Sequence, residues 1–120
     1  MGIQLQMEQM PGYLAARFTG VTTPDEALQQ TESIAEHCKR TKNNKLLIDI
    51  TRLGVKVSLA DRFFAAEGLV TFARNRIKVA VVDIPERIDP GKFDVLVAQN
   101  RGVNIEAFTD FRAAEEWLLK

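Results

Sequence analysis

The sequence predicts an α/β fold: a mixed five-stranded sheet, elements in the order β-β-α-β-α-β-α-β-α, with the first strand antiparallel. Three observations carry this. Residues 3–8 alternate apolar and polar, the period of a half-buried strand. Two short aliphatic runs, Leu46–Ile50 and Val79–Ile84, each broken by one Asp, have the character of strands covered on both faces. Amphipathic stretches that open on capping residues lie around them, and strands alternating with helices imply right-handed crossovers and a mainly parallel sheet.

The first strand sets Ile3, Leu5 and Met7 on one face against Gln4, Gln6 and Glu8. Pro11-Gly12 supplies a turn, because Pro pre-sets one φ and Gly accepts a positive one. Tyr13 to Thr19 returns as a second strand, so residues 3–19 form a hairpin. Thr23-Pro24-Asp25-Glu26 starts the first helix: Thr23 caps, Pro24 suits the first helical position, and Glu26 completes a capping box. Its apolar stripe holds Ala27, Leu28, Ile34, Ala35 and Cys38. Lys39, Arg40 and Lys42 sit at its negative end, and Asn43-Asn44 breaks it.

Leu46–Ile50 is the third strand. Ser58-Leu59-Ala60-Asp61 opens a second helix that runs to about Arg74. Val79–Ile84 is the fourth strand, stopped by Pro85. Asp89-Pro90 caps a third helix that Arg101-Gly102 closes. Ile105–Phe108 is the fifth strand, and Thr109 or Asp110 caps a last helix holding Ala114, Trp117 and Leu118. The expected core comprises Leu14, Phe18, Leu28, Ile34, Leu47, Ile48, Phe63, Val70, Val79, Val81, Phe93, Val97, Phe108, Trp117 and Leu118.

Composition narrows the function classes. With 120 residues, a single domain over 1–120 is expected. Sixteen basic and sixteen acidic residues cancel, leaving no global field to coat a nucleic acid. One cysteine excludes an internal disulfide, and one histidine leaves no zinc-ligand set. The start lacks the basic and apolar regions of a signal peptide, and no apolar run spans a membrane. A cytoplasmic protein without membrane insertion is expected. The seven glycines, at 2, 12, 20, 54, 68, 91 and 102, form no phosphate loop, so no cofactor is expected.

The hairpin followed by β-α units resembles the STAS (SpoIIAA-like) fold, and within it a bacterial family of stand-alone STAS-like proteins related in fold to CRAL-TRIO lipid-binding domains. The residues that carry the resemblance are Leu46-Leu47-Ile48-Asp49, Lys78-Val79-Ala80-Val81-Val82, Ala98-Gln99-Asn100-Arg101-Gly102, Phe108-Thr109-Asp110, and Ala114 to Leu118. It implies a non-enzymatic regulatory or binding module that engages a protein partner or a small apolar ligand. Regulatory STAS domains carry an Asp-Ser-x-Gly-like turn whose Ser is phosphorylated. Here the region reads Val57-Ser58-Leu59-Ala60, without the Asp and the Gly, so Ser58 is a helix cap or a phosphosite.

Four further readings concern chemistry. Asp49 and Asp83 end equivalent strands, where open α/β sheets bind ligands. On neighbouring strands they could share a proton or a Mg²⁺, the basis of a small Mg-dependent enzyme; otherwise each caps a loop amide. His37 and Cys38 are adjacent and so point about 100° apart, which makes Cys38 a structural thiol. The cations Lys39, Arg40, Lys42, Lys45, Arg74, Arg76 and Lys78 gather at one end of the sheet, where helix dipoles account for them. Finally, Phe64, Gly68 and Phe72 line up at i, i+4 and i+8, opposite the expected core stripe of the second helix. They are covered within the chain, bind a small apolar ligand, or form a homodimer through the second helix.

Overall fold

A computed structural model describes residues 4–21, 24–54, 68–85 and 93–120. Five strands form one sheet in the order β1 (Gln4–Met10), β2 (Tyr13–Val21), β3 (Lys45–Gly54), β4 (Lys78–Val82), β5 (Asn104–Phe108). β1 pairs antiparallel with β2, and every later pair is parallel. Helix α1 (Pro24–Thr41) joins β2 to β3. Helix α2 (Val70–Arg74), whose N-cap is Leu69, leads into β4, so the expected second helix is interrupted at Leu69; α3 (Phe93–Asn100) leads into β5, and α4 (Phe111–Leu119) ends the chain. The expected order and the antiparallel first strand are what the sheet shows.

The hairpin closes at Met10 opposite Tyr13. Proline 11 fixes its own φ, and Gly12 takes φ +86°, a value costly for any side chain. Strand β3 carries a bulge: Arg17 of β2 pairs with Asp49, but Thr19 pairs with Arg52.

Because side chains alternate along each strand, the sheet has two covers of unequal size. On one face Leu14, Ala16, Phe18, Leu46, Ile48, Val79 and Ile105 meet Ile34, Ala35 and Cys38 of α1, Phe72 of α2 and Ala98 of α3. On the other, Tyr13, Ala15, Leu47, Ala80 and Val82 meet Ala114 and Leu118 of α4. Among the described residues a single nine-residue helix covers that second face, over β3, β4 and β5. The β1 side of that face carries Glu8 and Arg17, an exposed pair 3.7 Å apart.

The expected core needs correction at several positions. Leu28 is 44% exposed. Val70 is half-buried, as are Val81, Phe108 and Trp117, which pack at the margins of the two clusters. Conversely Phe72, expected on the outer side of its helix, is fully buried. The helix is rotated so that Phe72 enters the core and the Val70 and Ala73 positions fall at its edge. Phe63 and the side chains of Phe93 and Val97 lie outside the described residues.

Candidate functional site

The strand-end carboxylates were the sharpest candidates, and the ladder separates them. Asp49 lies opposite Val82, not Asp83. Val82 faces the α4 layer, so Asp49 shares that side, and Asp83, one residue further, falls on the other. The two carboxylates cannot share a proton or a Mg²⁺ across a sheet. Each is engaged locally. Thr51 donates to Asp49 Oδ1 from its amide (3.0 Å) and its hydroxyl (2.7 Å), which pins the bulge in β3. Ile84 N–H donates to Asp83 Oδ1 at 2.8 Å. Among the described residues no group of three His, Cys, Asp or Glu is placed to hold a metal.

The second-helix face is also resolved at two of its three positions. Phe72 is inside the core. A Cβ on Gly68 would lie 2.9 Å from Leu28 Cδ1, so Gly68 faces α1, and the neighbouring helix covers this side. At Gly68 and Phe72 the patch expected to be outward is turned inward, which removes these two positions from a homodimer contact. Phe64 and Ser58 lie outside the described residues. Cys38 is fully buried, and burial alone pushes its thiol up to about 11; it is a core residue, not a nucleophile.

The densest collection of charge lies at the opposite end of the sheet, where strands β3, β4 and β5 begin. The three helices that lead into those strands end alike. Asn43 N–H donates to Cys38 O (2.9 Å) and Lys42 N–H to Lys39 O (3.3 Å). Ile77 N–H donates to Phe72 O (2.9 Å) and Arg76 N–H to Ala73 O (3.1 Å). Val103 N–H donates to Ala98 O (3.1 Å) and Gly102 N–H to Gln99 O (3.0 Å). Each is a Schellman cap, with its pivotal residue in the left-handed region. The pivots are Lys42 (φ 59°), Arg76 (φ 54°) and Gly102 (φ 89°). Glycine is the inexpensive choice there, yet two of the three are cations.

These caps converge. Lys78 N–H donates to Asn44 O at 2.8 Å, tying the loop after α1 to the loop after α2, and Lys45 sits opposite Lys78 in the ladder. Lys78 Nζ donates to Trp117 O (2.7 Å) and lies 4.4 Å from the centre of the Trp117 ring. It thus closes the C-terminus of α4. Burial first, then the charges of Lys45 and Lys120, hold its pKa below the usual lysine value. Among the described residues no ion pair engages Lys39, Arg40, Lys42, Lys45, Arg74, Arg76 or Lys120. Beside them Tyr13, 1% exposed, donates to Glu115 Oε2 at 2.6 Å. Burial, followed by Glu115, raises its pKa to about 12.

The sequence showed this collection of cations, but not the strained backbone at Lys42 and Arg76, nor the Lys78–Trp117 and Tyr13–Glu115 contacts. The first had a signal: Thr41-Lys42-Asn43, Asn75-Arg76-Ile77 and Arg101-Gly102-Val103 occupy the same place before three successive strands, and only the third carries glycine.

No family model matches the chain, and no curated protein matches it. Among solved structures it is similar to an uncharacterized protein from the DUF3478 family of Shewanella loihica PV-4, which has a SpoIIAA-like fold. The TM-score is 0.61 at 24% identity, over 98% of this chain and 94% of that one. That likeness establishes the SpoIIAA-like fold expected from the resemblance.

Proposed function

We propose that this SpoIIAA-like chain is a non-enzymatic binding module whose basic end receives an acidic segment of a partner protein. The observation that carries the reading is the left-handed backbone of Lys42 and Arg76. Holding an L-residue there costs about 1–2 kcal/mol, which glycine avoids at Gly102. The helix dipoles do not require it, because Lys39, Arg40 and Arg74 already stand in the last turns with helical geometry. The two extra cations therefore add exposed charge beyond what the helices need. A chain of zero net charge with one such patch suits a short acidic segment better than a long polyanion. The apolar-ligand reading loses its groove where Phe72 enters the core. The Mg-dependent reading loses its shared site where Asp49 and Asp83 part across the sheet.

Trp117, the only tryptophan, lies under Lys78 at this end and serves as the reporter. Titration with poly-L-glutamate at low salt is expected to change its fluorescence, with affinity falling as salt rises. The double variant Lys42→Gly/Arg76→Gly is expected to bind several-fold more weakly. Unchanged affinity in that variant would sink the reading, as would an equal response to a DNA duplex, which would make the patch a generic polyanion site.

A further inference from the structure

We infer that β1 is a self-complementary edge, and that two copies of this chain join antiparallel through it into one continuous ten-stranded sheet with Met7 at the two-fold axis. β1 is the first strand of the sheet and, among the described residues, pairs on one side only. The two-residue turn makes Met10 and Tyr13 a mutually hydrogen-bonded pair. Such pairs alternate along an antiparallel ladder, so Gln4, Gln6, Glu8 and Met10 spend their amides on β2. The N–H and C=O groups of Leu5, Met7 and Gln9 point to the open edge.

Natural edges are blunted by lysine, proline, a bulge or very short length. β1 has none of these: seven residues, QLQMEQM, paired to β2 without a register shift and holding one charge. Met7 stands 39% exposed at its centre.

The occupant follows from the register. Outward amides must meet outward amides, which restricts a two-fold pairing to a few alignments. Centred on Met7, all of residues 4–10 pair: Met7 with Met7 of the second copy, Leu5 with its Gln9, Gln6 with its Glu8. Every carboxylate then faces an amide side chain, and about six backbone hydrogen bonds form. Centred one residue later, Glu8 would face Glu8, a like-charge collision, and Pro11 would enter the ladder. Centred one residue earlier, Gln9 and Met10 both lose their partners within the strand. A second copy is therefore the occupant: its own β1 has the length, the outward amides and the register to meet all seven residues without a like-charge contact.

The test is sedimentation velocity on the full chain, with cross-linking to fix the register. Wild type is expected to run as a dimer at high micromolar concentration. Met7→Lys, at an exposed position, is expected to run as a monomer with an unchanged circular dichroism spectrum. Met7→Cys is expected to form a disulfide dimer under mild oxidation, because a hydrogen-bonded pair places its Cα atoms about 5.5 Å apart. Cys38 is buried and stays out of the reaction. Glu8→Cys is expected not to cross-link, its symmetry mate being too distant. A monomeric wild type overturns the proposal and leaves the edge to a strand of some other protein. A dimer that survives Met7→Lys, or one that cross-links through Glu8→Cys instead of Met7→Cys, overturns it as well.

Discussion

Cys38 and Tyr13 show what burial does to a single titratable group, and together they predict how the protein fails in alkali. Burial pushes the Cys38 thiol up from its ordinary 9.0 to about 11 in the folded chain. Below pH 9 both states hold the proton. Above it the unfolded chain releases its proton first, so stability is lost as pH rises from 9 through about 11. The loss reaches about 2–3 kcal/mol at most. Tyr13, raised from 10.0 to about 12, extends the decline. Lys78, with its pKa lowered, acts in the opposite sense, since its unfolded form binds the proton more tightly. Comparing wild type with Cys38→Ala isolates the thiol. The expected outcome is a melting temperature that starts to fall near pH 9 in wild type and about one unit later in the variant.

Among the elements, the helix caps and the last helix allow opposite predictions. Lys42→Gly and Arg76→Gly each relieve a left-handed residue at the expense of unfolded-chain freedom. A net gain of up to about 1 kcal/mol apiece is expected in urea unfolding, although the same changes weaken the proposed binding. A cap present only for the fold would show the gain without that loss. In α4, Leu118 is fully buried and its neighbour Leu119 is 44% exposed. Leu118→Ala is expected to cost about 2–5 kcal/mol and Leu119→Ala under about 0.5 kcal/mol, read as shifts in the denaturation midpoint. The contrast checks that one turn of one helix holds the smaller face of the sheet.

At the scale of the molecule, the sheet divides what the sequence aligned. Asp49 and Asp83 stand at like places in like strands, but the ladder offsets them by one residue, and one residue in a pleated sheet is the difference between its two faces. Magnesium titration is therefore expected to give no rise in melting temperature that depends on both carboxylates. A rise abolished by either Asp49→Ala or Asp83→Ala would contradict the offset. The helix C-termini act in concert in the opposite way: three parallel crossovers deliver three caps to one end, and their charges add.

Local chemistry alone determined the order of elements. Alternation marked β1, Pro11-Gly12 marked the turn, short aliphatic runs marked β3 and β4, and Asp110 marked the cap of α4, where it accepts from Arg112 N–H at 3.2 Å. These signals are periodic or confined to a few residues, so the chain states them without reference to its fold. The rotation of α2 was not so stated. The spacing offered two apolar sides, one through Phe64, Gly68 and Phe72 and one through Leu59, Phe63 and Val70; packing against the sheet buried Phe72. The strand offset between the two aspartates, the pairing of Lys78 with Trp117 across 39 residues and the open edge of β1 likewise exist only once strands are side by side. Each depends on which distant segment becomes a neighbour, and a periodicity read along the chain contains no distance between its strands.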